Sequence, residues 1–573
     1  MTRLTGGEVL KRCLVEENVR YVFGVPGDQL YPILDAFYHD KRIEFITMRH
    51  EAAAAHAADG WARVTGQPGV CLGTVGPGAA NLVGGVYAAY ADSIPMIVIT
   101  AQNQSWRSYP DHGSTQALDQ LSLFKAVTKW NSVVSHWRRI PELAQCAFRT
   151  ATSGRPGPVH LDFPSDVLFQ TGEEDDVKIL HPSRYRSVER HIGDAASLDQ
   201  AAAMLVNAKS PLIHAGGGVL RSGASRELVE LAEYMQIPVT TSMTGRGAIP
   251  EDHPLCLIPA CPGSGALVAQ TEADVVLLIG GRLGDLEMWG QPPLAWGEPA
   301  RQKFIQIDIS GDMIGLNRQV DIGIVGDAKS TLHALLENVK RLASRRTEST
   351  SLREYKQVEK DWLGTFEEMS RSDRVPIHPL RLIKEVREFF PREAVAVVDG
   401  GNTTVWSLYL NRVYEPNTYL SCASGDSGHL GAGISYAIAA KLAAPSRQVY
   451  CITGDGSFGF NVQELETVSR LKLPLTLVVA NDSAYGMIRS GQSLAYAKRY
   501  IGVDLSDICY DKVAQAMNCY GERIVEPSEI RPALQRAVDS RLPAVLDVVV
   551  DREAIPPDFQ VLASVWLEGC ELP

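Results

Sequence analysis

One rhythm runs through the chain and constrains its fold more than any other feature. Short apolar runs alternate with helical stretches, and Gly or Pro marks the junctions. "YVFGVP" (21–26), "FITM" (45–48), "GVCLGTV" (69–75), "MIVITA" (96–101) and "PVHLDFP" (158–164) read as buried strands. "EAAAAHAADGWARVTG" (51–66) and "AANLVGGVYAAYAD" (79–92) read as helices between them. The pattern returns at "PLIHAGGGVL" (211–220) and "KFIQIDIS" (303–310), and again at "EAVAVVDGGNT" (393–403), "RQVYCITGDG" (447–456), "LPLTLVVAND" (473–482) and "PAVLDVVVD" (543–551). A βαβα succession of this kind builds parallel sheets covered by helices on both faces. The charged stretch 170–191, without periodicity, reads as a linker; a second charged stretch follows at 341–375, of which 341–356 reads as a solvated linker or helix face. The expectation is three doubly wound α/β domains at 1–170, 190–340 and 375–551, followed by a tail, 552–573, too apolar to lie free in water.

Composition narrows the partners. Lys and Arg total 55 against 67 Asp and Glu, a formal charge of −12, and no long basic run offsets it. Nucleic acid as the main partner is disfavoured, since phosphate backbones need clustered cations. No run of about 18 apolar residues is present to span a membrane. The N-terminus, "MTRLTGGEVLKRCLVEENV", lacks the apolar core and cleavage site of a signal peptide and reads as a helix starting near Thr5. The ten cysteines are scattered without a CxxC pair, which argues against a disulfide framework or zinc site and for a reducing cytoplasm.

Ligands of parallel sheets bind at the carboxyl ends of strands. At one such end, "CITGDGSFGFN" (451–461) sets Asp455 between Gly454 and Gly456, with Ser457 following. Twenty-four residues separate Gly456 from Asn481 in "VVANDSAYGM", enough for one helix and one strand. That spacing returns Asn481 to the next strand end, beside Asp455. Two oxygen-bearing side chains at one sheet edge suit Mg²⁺, which leaves its remaining positions to phosphate and water. The backbone of Gly456 and Ser457 can donate N–H groups to a phosphate. The plainer alternative is a tight turn at GDG and a capping role for Asn481.

The stretch "GDGSFGFNVQELETVSRLKLPLTLVVAND" resembles the thiamine-diphosphate motif of acetolactate synthase, benzaldehyde lyase and pyruvate decarboxylase relatives. The resemblance implies a pyrimidine-binding domain, a middle domain and a diphosphate-binding domain, in that order. It implies Asp455, Asn481 and the Ser483 carbonyl as Mg²⁺ ligands. "TMRHEAAAAHAADGWARVTGQPGVCLGTVGPGAANLV" (47–83) is similar to the pyrimidine-binding domain. Glu51 then corresponds to the glutamate that hydrogen-bonds N1′ of the aminopyrimidine, with Pro26, Gly78 and Asn81 in the neighbouring cofactor-facing loops. "SGDSGHLGAGISYAIAA" (424–440) resembles the segment that bends the cofactor into a V. Leu430 is implied under the bend and the Gly428 carbonyl as acceptor for the 4′-amino group. Asn402 and Thr403 match a diphosphate-contacting loop, joined by Gly454, Gly456 and Ser457; Tyr485, Gly486 and Met487 follow the metal motif.

The resemblance implies making or breaking a C–C bond next to a carbonyl, in a 2-oxo acid or 2-hydroxy ketone, by a homodimer or homotetramer with active sites at the subunit interface. Gln116 aligns with a glutamine near the reacting carbonyl. Asp28 faces the cofactor or caps the helix starting near Gln29. His429 stands where the family more often has Thr or Ser, and either meets an intermediate or packs. Departures keep other readings open. The turn "GGRLGDLEMWGQPP" (280–293) replaces the "GARFDDR"-like FAD turn of acetolactate synthase, which disfavours FAD or ADP in the central domain without excluding either. That turn is also similar to oxalyl-CoA decarboxylase and 2-hydroxyacyl-CoA lyase, which admits an acyl-CoA substrate. A non-catalytic paralogue retaining the fold is the reading from another class. A plain NAD oxidoreductase is disfavoured, because no strand–GxGxxG–helix unit with a downstream acid is visible.

Overall fold

A computed structural model describes residues 3–559, apart from 109, 188, 259–260, 350 and 423–424. The described strands form three larger sheets, all parallel, and one small ribbon. The first sheet has six strands in the spatial order Glu44–Thr47, Tyr21–Gly24, Gly69–Gly73, Met96–Gln102, Pro158–Pro164 and Trp130–Val133. The second has five: Val239–Thr241, Pro211–Ala215, Val275–Ile279, Lys303–Asp308 and Ile322–Val325. The third has six: Tyr419–Leu420, Val395–Asp399, Val449–Gly454, Thr476–Asn481, Ala544–Val549 and Tyr520–Ile524. Central strands such as Met96–Gln102 and Val275–Ile279 are buried along their whole length, so they read as continuous rather than alternating apolar runs.

The segment expected to be a bare linker from residue 170 begins as a strand. Thr171–Glu173 pairs antiparallel with Arg3–Thr5. The two join the chain's start to the end of its first sheet, and Thr5 then caps helix Gly6–Glu16 in a reciprocal capping box with Glu8. Of the apolar tail, residues 552–559 are described; the expectation for 560–573 lies outside the described residues.

The feature that positions the candidate site is a core shared by the first and third sheets. Helix Glu51–Thr65 lies against helix Gly433–Ala443 and against helix Pro77–Ala91. Ala53, Ala54, Ala57 and Ala58 join Ala437, Ala440 and Tyr436 in one buried cluster. Small residues let these helices approach closely: a Cβ on Gly60 would stand 3.0 Å from the Tyr436 ring and 3.1 Å from Ala439 Cβ. At the same contact Asp59 accepts from Arg63 at 2.8 Å and from the Tyr436 hydroxyl, and Arg63 reaches Asp92 at 2.8 Å. No disulfide involves the nine described cysteines.

Candidate active site

The strand ends of the third sheet open into a cavity of about 470 Å³. Strand Val449–Gly454 delivers Asp455 onto its wall at the first position of the short helix Asp455–Phe458. Asp455 is 2% exposed, and its Oδ1 has no hydrogen-bond partner. Burial, then the neighbouring Asp482 carboxylate, push its carboxyl up to about 8. Asp482 is raised as well, first by burial. Two desolvated carboxylates facing each other form a pair that a bound cation would stabilise.

The metal ligands expected from the sequence, Asn481 and Ser483, are engaged elsewhere. Asn481 is the last residue of its strand, and its amide donates to Asp547 Oδ1 at 2.9 Å and to the Ile508 carbonyl at 3.1 Å. Its Oδ1 accepts the Ser483 N–H at 3.1 Å. The Ser483 carbonyl accepts from Leu505 N–H at 2.8 Å and from Arg552. The side chain turned toward Asp455 is Asp482. The Ala484 carbonyl oxygen also faces the turn, 3.5 Å from where a Cβ on Gly456 would stand. That Cβ would meet the Tyr485 ring at 2.9 Å, so the position accepts only glycine without movement.

Across the cavity, Gly400 (φ 109°) brings the chain within reach of Gly454 and Ser457: its Cβ would lie 3.2 Å from Gly454 N and from Ser457 Oγ. Asn402 donates to Ser490 Oγ at 3.1 Å and keeps Oδ1 buried without a partner. Thr403, Gly428, Leu430, Gly454, Gly456, Ser457, Tyr485, Gly486 and Met487 line the same cavity. A residue the sequence reading passed over, Asp399, ends strand Val395–Asp399 and accepts the N–H groups of Gly431 (3.2 Å) and Gly433 (2.9 Å), fixing the loop that carries Leu430. His429 is turned away from the cavity. Its Nδ1 lies 2.8 Å from the Leu430 carbonyl, and its ring meets the buried His56 ring edge-on at 4.6 Å.

The N-terminal candidates form a second group. Glu51 is the first residue of helix Glu51–Thr65, and Asn81 donates to its Oε2 at 2.9 Å. Gly78 leaves Oε1 uncovered; a Cβ there would sit 3.3 Å away. Gln116 is exposed with φ 62°, its carbonyl packed against Gly76, whose N–H is held by the buried Gln120 at 2.8 Å. Pro26 and Asp28 are exposed; Asp28 opens the 3-10 turn Asp28–Leu30, whose cap position is Gly27. None of Pro26, Asp28, Glu51, Gly78, Asn81 and Gln116 lines the cavity around Asp455 within the same chain.

Comparison with known proteins assigns these two groups to matching family domains. Residues 4–123 match the N-terminal TPP binding domain of thiamine pyrophosphate enzymes, 198–335 the central domain and 399–548 the C-terminal TPP binding domain. The chain belongs to the thiamine pyrophosphate enzymes. It is 38% identical to the probable acetolactate synthase large subunit of Methanocaldococcus jannaschii, over 96% of this chain and 93% of the relative. It is 34% identical to the acetolactate synthase large subunit of Corynebacterium glutamicum, over 96% and 88%. It is 33% identical to the acetolactate synthase of Mycobacterium bovis, over 97% and 89%. Among thiamine pyrophosphate enzymes it is thus a carboligase or decarboxylase of the acetolactate-synthase type.

A second cleft, of about 130 Å³, opens at the strand ends of the middle sheet. Arg155, Arg221 and Arg282 line it, and Arg221 keeps its Nε buried without a partner. Asp308 ends its strand there, pushed up to about 6 by burial. Among the described residues, no helix is long and apolar enough to cross a membrane.

Proposed function

We propose that the chain uses thiamine diphosphate with Mg²⁺ to make or break a C–C bond beside the carbonyl of a 2-oxo acid or 2-hydroxy ketone, in an active site assembled from two copies. The observation that carries this reading is the buried pair Asp455 and Asp482, with one oxygen orphaned, in a cavity that Glu51 of the same chain does not reach. Bound thiamine diphosphate supplies a carbon nucleophile and accepts the electron pair released when the bond beside the carbonyl breaks.

The chain's own residues hold and orient. Asp455, Asp482 and the Ala484 carbonyl would hold the cation. The cation would take its remaining ligands from diphosphate and water. Asn402 and Thr403 offer polar atoms to the diphosphate, and the Asn402 Oδ1 gains a partner there. Leu430 supplies apolar support for the bend, and Asp399 keeps its loop in place. Glu51 Oε1, left open by Asn81 and Gly78, carries the proton exchanged with the pyrimidine ring in the partner copy's cavity. Gln116, presented by its left-handed backbone, orients the reacting carbonyl.

Co-expression of Glu51→Gln and Asp455→Ala chains tests the assembly. Each variant alone is inactive. Mixed pairs hold one site with both lesions and one intact site, so activity reappears. Continued inactivity of purified mixed pairs would show that both groups belong to one chain's site. A substrate panel of pyruvate, other 2-oxo acids, benzoin-type ketones and 2-hydroxyacyl-CoAs, scored separately for CO₂ release and C–C bond formation, decides between the substrate classes.

A second ligand fits the middle cleft. Three arginines around a strand-end carboxylate suit a nucleotide of the FAD or ADP kind, phosphates to the cations and a ribose hydroxyl to Asp308. Visible flavin absorbance in the purified protein selects FAD; calorimetric heat with ADP in colourless protein selects the nucleotide alone; neither result removes this reading.

A further inference from the structure

Helix Glu464–Arg470 lies in the third sheet's domain, but its first side chain serves the first domain. Glu464 is fully buried. Its two oxygens accept the Arg49 N–H at 3.0 and 3.3 Å, and Oε2 also accepts the Thr467 hydroxyl at 2.7 Å. The His50 N–H also draws on this carboxylate. Arg470, on the same helix, donates to the Thr47 carbonyl at 2.5 Å. The segment from Thr47 to His50 is therefore gripped by another domain along its backbone. The next residue is Glu51.

The arrangement divides the work of placing one carboxylate. Asn81 fixes the Glu51 side chain from the adjacent helix. His50 Nδ1 accepts the Ala52 N–H at 3.1 Å and starts the helix. Neither contact fixes where the helix begins relative to the third domain. The Glu464 carboxylate does, because it satisfies N–H groups that precede the first helical hydrogen bond and would otherwise be buried unpaired. A carboxylate is a better acceptor for two converging N–H groups than an amide or hydroxyl, since it offers acceptor sites on both oxygens.

We propose that Glu464 is a positioning residue for Glu51, holding the backbone ahead of it so that its carboxylate is presented at a fixed place. The assignment rests on the role proposed above for Glu51. Glu464 follows the Asp455 turn in the same domain, while Glu51 serves the partner copy's cavity. The domain that would hold the cation of one active site thereby steadies the glutamate of the other.

The test uses full-length E464Q, which keeps size and one acceptor oxygen, and E464L, which keeps neither acceptor. A carboxylate displaced by a fraction of an ångström to about 1 Å costs on the order of 10- to 100-fold in turnover. The expected result is a kcat lowered by at least about tenfold in E464Q, with KM for the carbonyl substrate and the calorimetric affinity for thiamine diphosphate within about twofold of wild type. In cofactor-free protein, amide exchange in a peptide covering residues 47–54 should be faster, and in one covering 450–460 unchanged. If E464L fails to fold, E464Q carries both measurements. A kcat within about twofold of wild type overturns the proposal, as does unchanged exchange at 47–54 or a loss of cofactor affinity that matches the loss of turnover. E51Q assayed alongside separates the two readings. If it retains turnover, the role of Glu51 is what fails, and the exchange measurement still reports whether Glu464 holds the segment.

Discussion

Asp455 and Asp482 gain nothing from each other unless something positive stands between them. Removing either should abolish Mg²⁺-dependent binding of thiamine diphosphate; calorimetry showing unchanged affinity in D482A would return the metal to Asn481. The difference between Asn481 and Asp482 shows what the sequence could and could not tell. The helix-and-strand spacing after Gly456 pointed to the strand end where Asn481 and Asp482 stand. It did not settle which of two adjacent residues turns inward, because side chains alternate along a strand and a one-residue slip reverses every direction. A second residue-scale expectation concerns pH. Burial pushes Asp399 up to about 6 from an ordinary 3.8, so folding favours its uncharged form. Its contribution is complete below the unfolded value and lost as pH rises through about 6. The shift corresponds to roughly 3 kcal/mol at neutral pH. Denaturant unfolding at pH 4 and pH 7.5 should show D399N losing less stability over that range than wild type; equal losses would contradict the assignment. Asp399 was legible as a strand end but not as a loop anchor, since its partners are backbone N–H groups of a distant segment.

At the scale of elements, helix Glu51–Thr65 connects sequence and architecture most directly. Its alanine-rich run read in the sequence as a helix between two strands. The run gave no sign that one neighbour, helix Gly433–Ala443, lies far along the chain, because contacts between domains leave no local periodicity. Gly60 sets the approach of the two helices. Gly60→Leu should therefore destabilise by about 1–3 kcal/mol through overpacking, despite the higher helix propensity of leucine. A denaturation midpoint at or above wild type would show that the contact is looser than described. Tyr436→Phe removes one of the donors to buried Asp59 while leaving Arg63 in place, and should cost about 1–2 kcal/mol.

For the whole molecule, the middle sheet is tied to the third by a wholly buried ion pair. Arg246 and Glu251 meet at 2.7 Å; Arg246 also donates to the Asn411 carbonyl at 2.7 Å, and Glu251 accepts the Val413 N–H at 3.0 Å. Arg246→Ala leaves a buried carboxylate unpaired and should cost about 3–5 kcal/mol, seen as an early unfolding transition. The three-sheet plan was readable because each sheet is a local βαβ succession. The orientation of the sheets was not, since cross-domain contacts such as Arg246 to the Asn411 carbonyl and Tyr436 to Asp59 show in sequence only as isolated residues. In the assembly proposed above, each chain would lend its glutamate to a cavity it does not own, so a lone copy could be fully folded and still do nothing. Specific activity should then fall on dilution below the dissociation constant of the pair, with circular dichroism unchanged, and recover on concentration. Loss of turnover in dilute stocks would report separation of the copies rather than damage to either one.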